Sequence, residues 1–220
     1  GPNGLRSPTK EIVIESLKAL SELRCTEEEV ETAITTLLHE SKDPRILYEA
    51  SRAMILSGHW HPSAVEILHN ALKFGSKSLK QEILDALCSL DNIPFFGKKA
   101  QPFEEILNVL EDFIQGHDPC LAFSSALCLG RLFVVHPIAK RYLLEVIQTK
   151  SLTSKQRSEA SNVLVRQMNS KDKVIVESLL HELSTSVSWK VRVQACDLLM
   201  FIGNRHVLAK DVDEIFVILE

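Results

Sequence analysis

An all-α fold of stacked helical hairpins is predicted for this chain of 220 residues by three observations. Apolar residues recur at helical spacing, prolines and glycines punctuate the sequence where helices would begin and end, and one second-helix pattern returns roughly every 35 residues.

The spacing comes first. Val30, Ala33, Ile34, Leu37 and Leu38 fall at i, i+3, i+4, i+7 and i+8, which puts them on one face of a helix and turns the other face to solvent. The same spacing returns at Phe103, Ile106, Leu107, Leu110 and Phe113-Ile114, at Val176, Leu179, Leu180 and Leu183, and at Val212, Ile215, Phe216 and Leu219. No comparable alternating run of strand type occurs. Prolines 8, 44, 62, 102, 119 and 137 stand where helices would start, a place at which a missing N–H costs nothing. Gly58, Gly75, Gly116 and Gly203 stand where they would stop. About 12 helices follow, over 9–24, 26–40, 43–57, 62–74, 76–90, 102–115, 118–134, 137–150, 153–168, 171–184, 188–203 and 207–220.

The repeat is clearest in SWKVRVQACDLLMFIG, residues 188 to 203. Taking Val191 as position zero, equivalent positions are Ile46, Leu79, Leu121 and Gln156, at intervals of 33, 42, 35 and 35 residues. Four residues on stand Ala50, Ile83, Ser125, Ala160 and Ala195, mostly small; eight residues on stand the large apolar Met54, Leu87, Leu129, Leu164 and Leu199. Three residues before zero stand Asp43, Ser76, Asp118, Thr153 and Ser188, each a favoured N-cap whose side-chain oxygen can accept from the first turn. A period near 35 filled by two helices means a hairpin solenoid, in which each hairpin buries its apolar face only against its neighbours. The one long interval contains the extra segment 91–101, DNIPFFGKKAQ.

Val191-Arg192 with Ala195 and Gly203, Leu121 with Ala126-Leu127-Cys128-Leu129-Gly130, and the helix starts Asp43-Pro44 and Asp118-Pro119 resemble the second-helix pattern of HEAT repeats, within the armadillo-like class. The arginine after position zero is kept at Arg192, with Lys80 as a charged substitute. The resemblance covers about residues 26 to 220 and implies a right-handed α-α superhelix of about five to six hairpins. Residues 1–8 read as a tag remnant or disordered leader, and 9–220 as a single HEAT-like solenoid domain. Helix 207–220 would open a further repeat, so the chain reads as a fragment of a larger protein.

Composition narrows the function. With 45% hydrophobic and 25% charged residues the chain can bury a large core and is not disordered. Its apolar runs, such as Ile215 to Leu219, are far short of the roughly 18 residues a membrane span needs. Cys25, Cys88, Cys120, Cys128 and Cys196 form an odd set without a CxxC pair, which favours reduced thiols in cytosol or nucleus. A net charge of −4 gives no general attraction to phosphate.

Chemistry has few candidates. His39-Glu40 and His181-Glu182 are the only His-Glu pairs, and HEAT-like deoxyhypusine hydroxylases use four such pairs to hold two irons; two pairs separated by 142 residues do not supply that set. His59-Trp60-His61 with His69 could offer imidazoles to a metal, but reads better as an inter-repeat turn. No phosphate loop or nucleophile context is present. Arg45, Arg52, Lys77, Lys80, Arg131, Lys155, Arg157, Arg166, Lys190 and Arg192 could form a basic stripe for nucleic acid, diluted by Glu49, Glu82, Asp85, Glu159 and Asp197. Tubulin-binding TOG domains are similar in size, and their contacts lie in intra-hairpin turns, here Ser41-Lys42, Gly75, Gly116-His117, 150–152 and Thr185-Val187; the aromatic expected in the first is missing.

The expected function is therefore a non-catalytic protein-interaction scaffold without cofactor or metal. Tubulin binding, nucleic-acid backbone binding and a metal-dependent hydroxylase rank behind it. Expected partner-binding residues are Phe95, Phe96, Lys98 and Lys99 of the insertion, together with Arg157, Trp189, Lys190 and Arg192.

Overall fold

The computed structural model describes residues 2–7, 9–89, 101–132, 136–149, 152–170 and 172–203. Among them the helices are α1 (Pro2–Leu5), α2 (Lys10–Leu23), α3 (Glu28–Glu40), α4 (Pro44–Leu56), α5 (Pro62–Phe74), α6 (Lys77–Cys88), α7 (Gln101–Gln115), α8 (Pro119–Arg131), α9 (Pro137–Ile147), α10 (Ser154–Asn162), α11 (Lys173–Thr185) and α12 (Trp189–Gly203). No strand occurs among the described residues. The helix expected at 207–220 lies outside them, as do residues 91–100 of the insertion.

Four of the five cap residues of the sequence pattern accept through their side chains as expected. The Asp43 carboxylate accepts from the backbone N–H of Arg45 at 2.9 Å and of Ile46 at 3.3 Å, and Asp118 accepts from Cys120 at 3.0 Å and Leu121 at 3.2 Å. Ser76 accepts from Leu79, and Thr153 forms a capping box with Gln156. Ser188 holds the equivalent place before α12, its carbonyl accepting from Arg192 N–H at 3.1 Å. Pro44, Pro62, Pro119 and Pro137 each open their helix. Gly58 closes α4 with φ +86°, the left-handed conformation that glycine adopts without penalty.

Two compact units divide the chain, Gly1–Phe113 and Ile114–Glu220. In the first, α4 is central and packs on α2, α3, α5 and α6. Leu17, Ile34, Met54, Leu72, Ile83, Leu84 and Leu87 are fully buried there. Residues 2–7, set aside in the sequence as leader, include α1, and its Leu5 is buried in contact range of α2 and α3.

In the second unit α8 packs on α9, and α12 packs on α10 and α11, around Leu129, Leu143, Leu164 and Leu198. The helix expected at 153–168 is interrupted. α10 ends at Asn162 and continues as one wide π-turn, Val163–Gln167, closed by Met168 N–H donating to the Val163 carbonyl at 3.0 Å. This turn presses Val163 against Gly130 of α8: a Cβ at 130 would overlap the Val163 side chain.

A sixth copy of the pattern, not read from the sequence, lies in α2. With Ile12 as zero, 34 residues before Ile46, Thr9 takes the N-cap place, Ser16 is the small residue at +4 and Leu20 the large one at +8.

Candidate interaction surface

In this register the next repeat is met from +2 and +9 of α4 and from +9 of α8. Tyr48 and Ile55 of α4 line a small space with Ile83, Ala86 and Leu87 of α6, and Gly130 of α8 meets Val163 of the following second helix. The receiving helix contributes +4 and +7, which are Ile83 and Ala86 in α6 and, at +7, Val163 after α10.

Counted at +2, +5 and +9, these positions are largely closed in α4, α8 and the α10 segment, while Gln81 and Cys88 of α6 are half-buried. Ser51 and Ile55 are buried in α4, Phe123, Ala126 and Gly130 in α8, and Ser158, Ser161 and Val165 in the α10 segment. In α12 the equivalents are Val193, 58% exposed, Cys196, half-buried, and Met200, 58% exposed. One turn earlier Trp189 is 63% exposed, and Val187, in the turn after α11, is almost wholly in solvent. Trp189, Val193, Cys196 and Met200 thus form an i, i+4, i+7, i+11 stripe open along the helix. Lys190 lies over the Trp189 ring at 5.9 Å, and Arg192 donates to the Ser186 carbonyl at 2.8 Å while remaining exposed.

Of the residues expected from sequence, Trp189, Lys190 and Arg192 thus come together at the start of α12. Arg157 is placed differently: its Nε donates to Glu182 at 2.6 Å and its Nη1 to the Thr149 carbonyl at 2.8 Å. Glu182 is almost completely buried, so Arg157 is the counterion of a carboxylate inside the unit. Phe95, Phe96, Lys98 and Lys99 lie outside the described residues. Val193 and Met200 escaped the sequence reading, and Val187 was read only as part of the turn Thr185-Val187; the available signal for the first two was their place in the repeat register, where large apolar side chains are normally covered by a neighbour.

Other cations of the suspected basic stripe have internal partners. Arg131 pairs with Glu159 at 2.7 Å, Arg166 with Asp197, and Arg52 with Glu49 at 3.5 Å. The histidines also disperse. His59 faces Glu31 at 3.5 Å, His61 accepts from Ser63 N–H and meets the His39 ring edge-on at 5.6 Å, and His69 faces Glu105 at 3.6 Å. Among the described residues no group of three or more His, Cys, Asp or Glu is placed to hold a metal ion, and no helix is long and apolar enough to cross a membrane.

Helical hairpins in this register, with capped second helices, define a HEAT/armadillo-like helical-repeat fold within each unit. Comparisons with known proteins agree. The chain is 24% identical over 216 residues to Protein HEATR9 of Homo sapiens and, to the same extent, to Protein HEATR9 of Macaca fascicularis; each match takes in 96% of this chain and 37% of the relative, so the chain spans little more than a third of those proteins. No protein-family model matches it. Among solved structures, an engineered protein superposes with a TM-score of 0.53 at 18% identity, covering 92% of this chain and 95% of that one. A designed armadillo repeat protein in complex with the peptide (KR)4 gives 0.51 at 13% identity, covering 91% and 97%. These likenesses show the fold.

Proposed function

We propose that the chain is a non-catalytic scaffold that binds a partner protein through the apolar stripe of α12, with Trp189 as anchor and Lys190 and Arg192 at its edge. The observation that carries this reading is the exposure of Trp189, Val193 and Met200 together on one helix face. Leaving a contiguous apolar stripe in water is unfavourable by about 25 cal/mol per Å² relative to covering it, and such patches mark interaction sites. Aromatic anchors flanked by arginine are also the usual energetic centres of interfaces. The insertion residues Phe95, Phe96, Lys98 and Lys99 belong to the proposal as a second contact, and its compartment is cytosol or nucleus.

Charge-driven binding to tubulin or nucleic acid is less well supported, because Arg131, Arg157 and Arg166 are engaged by carboxylates of the same chain. Partner affinity is therefore expected to vary only weakly with salt. The test is retention of proteins from cell lysate by the wild type, by Trp189→Ala/Met200→Lys and by Phe95→Ala/Phe96→Ala, with thermal unfolding of each. A partner lost by the α12 variant at unchanged unfolding temperature supports the reading. Retention unaffected by both variants overturns it.

A further inference from the structure

α2 ends on an unusual residue. Arg24 closes the helix with φ +48° and ψ 50°, a left-handed backbone that a β-carbon disfavours and that helix ends usually give to glycine or asparagine. The other non-glycine residue with positive φ among the described residues is Asn169, a type that tolerates it. The turn is tied by Arg24 N–H donating to the Ser21 carbonyl and Cys25 N–H to the Leu20 carbonyl, both at 3.3 Å. From it the exposed Arg24 side chain leaves its own hairpin, and its Nη2 donates to the carbonyl of Ser89 at the end of α6. Ser89 is fixed from its own side. Its N–H donates to the Asp85 and Ala86 carbonyls at 3.1 Å, and its hydroxyl to the Ala86 carbonyl at 2.7 Å. Carbonyls at a helix C-terminus lack an intrahelical donor and carry partial negative charge, which suits a guanidinium.

The sequence separation sets this bond apart. Arg131 with Glu159 and Arg166 with Asp197 join second helices across 28 and 31 residues, within one repeat interval. Arg24 and Ser89 are 65 residues apart, close to two intervals, so the bond passes over the repeat of α4 and joins hairpins that a simple stack keeps apart. α4 packs on both α2 and α6, and the separation of their ends therefore measures how tightly this unit curves about α4. The α4–α6 junction has room to give. Ile55, Leu56, Ile83 and Leu87 border a small space there with Arg52, whose Nε is buried without a hydrogen-bond partner among the described residues. We propose that Arg24 is a clasp that sets the curvature of the first unit: it pins the end of α2 to the end of α6 across α4, and its release lets the two ends separate by opening the α4–α6 junction. The left-handed backbone aims the arginine at α6, where a glycine would close α2 alone. The chain leaves α6 at Ser89 for the insertion 91–101, so the clasp also fixes the point from which that insertion starts. This inference lies beyond the scaffold reading and does not depend on α12.

The test is a distance measurement by pulsed electron paramagnetic resonance on the full 220-residue chain. Nitroxides are carried on unnatural residues replacing the exposed Glu22 of α2 and Asp85 of α6, which spares the five native cysteines. Arg24→Gly and Arg24→Asn are compared with the wild type; both residues suit left-handed backbone, so the end of α2 and the fold should persist. The wild type is expected to give a short, narrow distance distribution. In both variants the population at longer separation should rise roughly threefold to tenfold, the factor that one hydrogen bond of ordinary net strength supplies. Distributions unchanged in both variants overturn the proposal and leave Arg24 as a local cap of α6. A longer distance in Arg24→Gly alone also overturns it, because the backbone freedom of glycine, and not the lost guanidinium, would then be the cause.

Discussion

α8 and α12 carry the same pattern of second-helix positions, and they end differently. Phe123, Ala126 and Gly130 of α8 are buried, the last so tightly that Val163 occupies the room of a side chain. Their equivalents in α12, Val193, Cys196 and Met200, stay accessible. An apolar residue at these positions therefore specifies a seat for a neighbouring repeat, and whether it is buried depends on the neighbour. This is the general condition of a solenoid, whose hairpins contact only adjacent hairpins and whose ends need either polar caps or partners.

The comparison is broken most severely by placing one charge at the +9 position in two settings. Val165 is 1% exposed within the π-turn, so Val165→Asp buries an unpaired carboxylate and is expected to cost more than about 4 kcal/mol, enough to abolish cooperative unfolding. Met200→Asp, at the same register position in α12, should change stability by less than about 0.5 kcal/mol. Urea denaturation of the two variants measures both; equal losses would mean that the α12 stripe is already covered. Next in size is Arg157→Ala. It leaves the Glu182 carboxylate buried without its guanidinium and is expected to cost roughly 3–5 kcal/mol, with Glu182→Gln in the same chain restoring part of the loss.

How much of this was legible in sequence differs by level. The second helices announced themselves through Asp43, Ser76, Asp118 and Thr153, because capping is a local interaction between a side chain and the first turn of its own helix. The copy in α2 went unread, since Ser16 and Thr9 fit the pattern only after Ile12 is aligned. The π-turn was also invisible: nothing in Val163-Leu164-Val165-Arg166-Gln167 departs from helical composition, and the wide turn accompanies the packing of Val163 against a glycine on another helix. For the site, Trp189, Lys190 and Arg192 were found as neighbours in sequence. Arg157 was grouped with them as a surface cation because its partner, Glu182, is 25 residues away and no local pattern pairs the two. Ion pairs and stacking faces between hairpins are set by tertiary contact, and single-helix periodicity does not carry them.

Gly130→Ala sharpens the closed half of the comparison. In an exposed helix this change would gain up to about 1 kcal/mol of helix propensity. In α8 the new methyl group would overlap Val163 and touch the end of Met168. Met168 can turn aside, but Val163 is β-branched and buried, so overpacking wins and a net loss of about 1–3 kcal/mol is expected from thermal unfolding.

The smallest effect concerns two acids at α4 whose pKa shifts have opposite sign. Burial raises the Glu49 carboxyl above its ordinary value of 4.5, against the opposing charges of Arg52 and Lys18. The folded state thus binds the Glu49 proton more tightly than the unfolded chain does, and this contribution to stability is full below pH 4.5 and lost as pH rises through the shifted value. Asp43, at the cap of the same helix, is held below its ordinary 3.8 by its hydrogen bond from Lys10, so its contribution is present above that pH and lost in stronger acid. Glu49→Gln is therefore expected to raise the unfolding temperature at pH 7 by a degree or two, at roughly 4–8 °C per kcal/mol for a unit of this size, and the gain should shrink toward zero near pH 4. Asp43→Asn should show the reverse, a loss at pH 7 that fades below pH 3. Unfolding temperatures of both variants measured from pH 3 to 8 separate a carboxyl that is costly to ionise from one whose ionised form holds the helix start, and parallel curves for the two would remove that distinction.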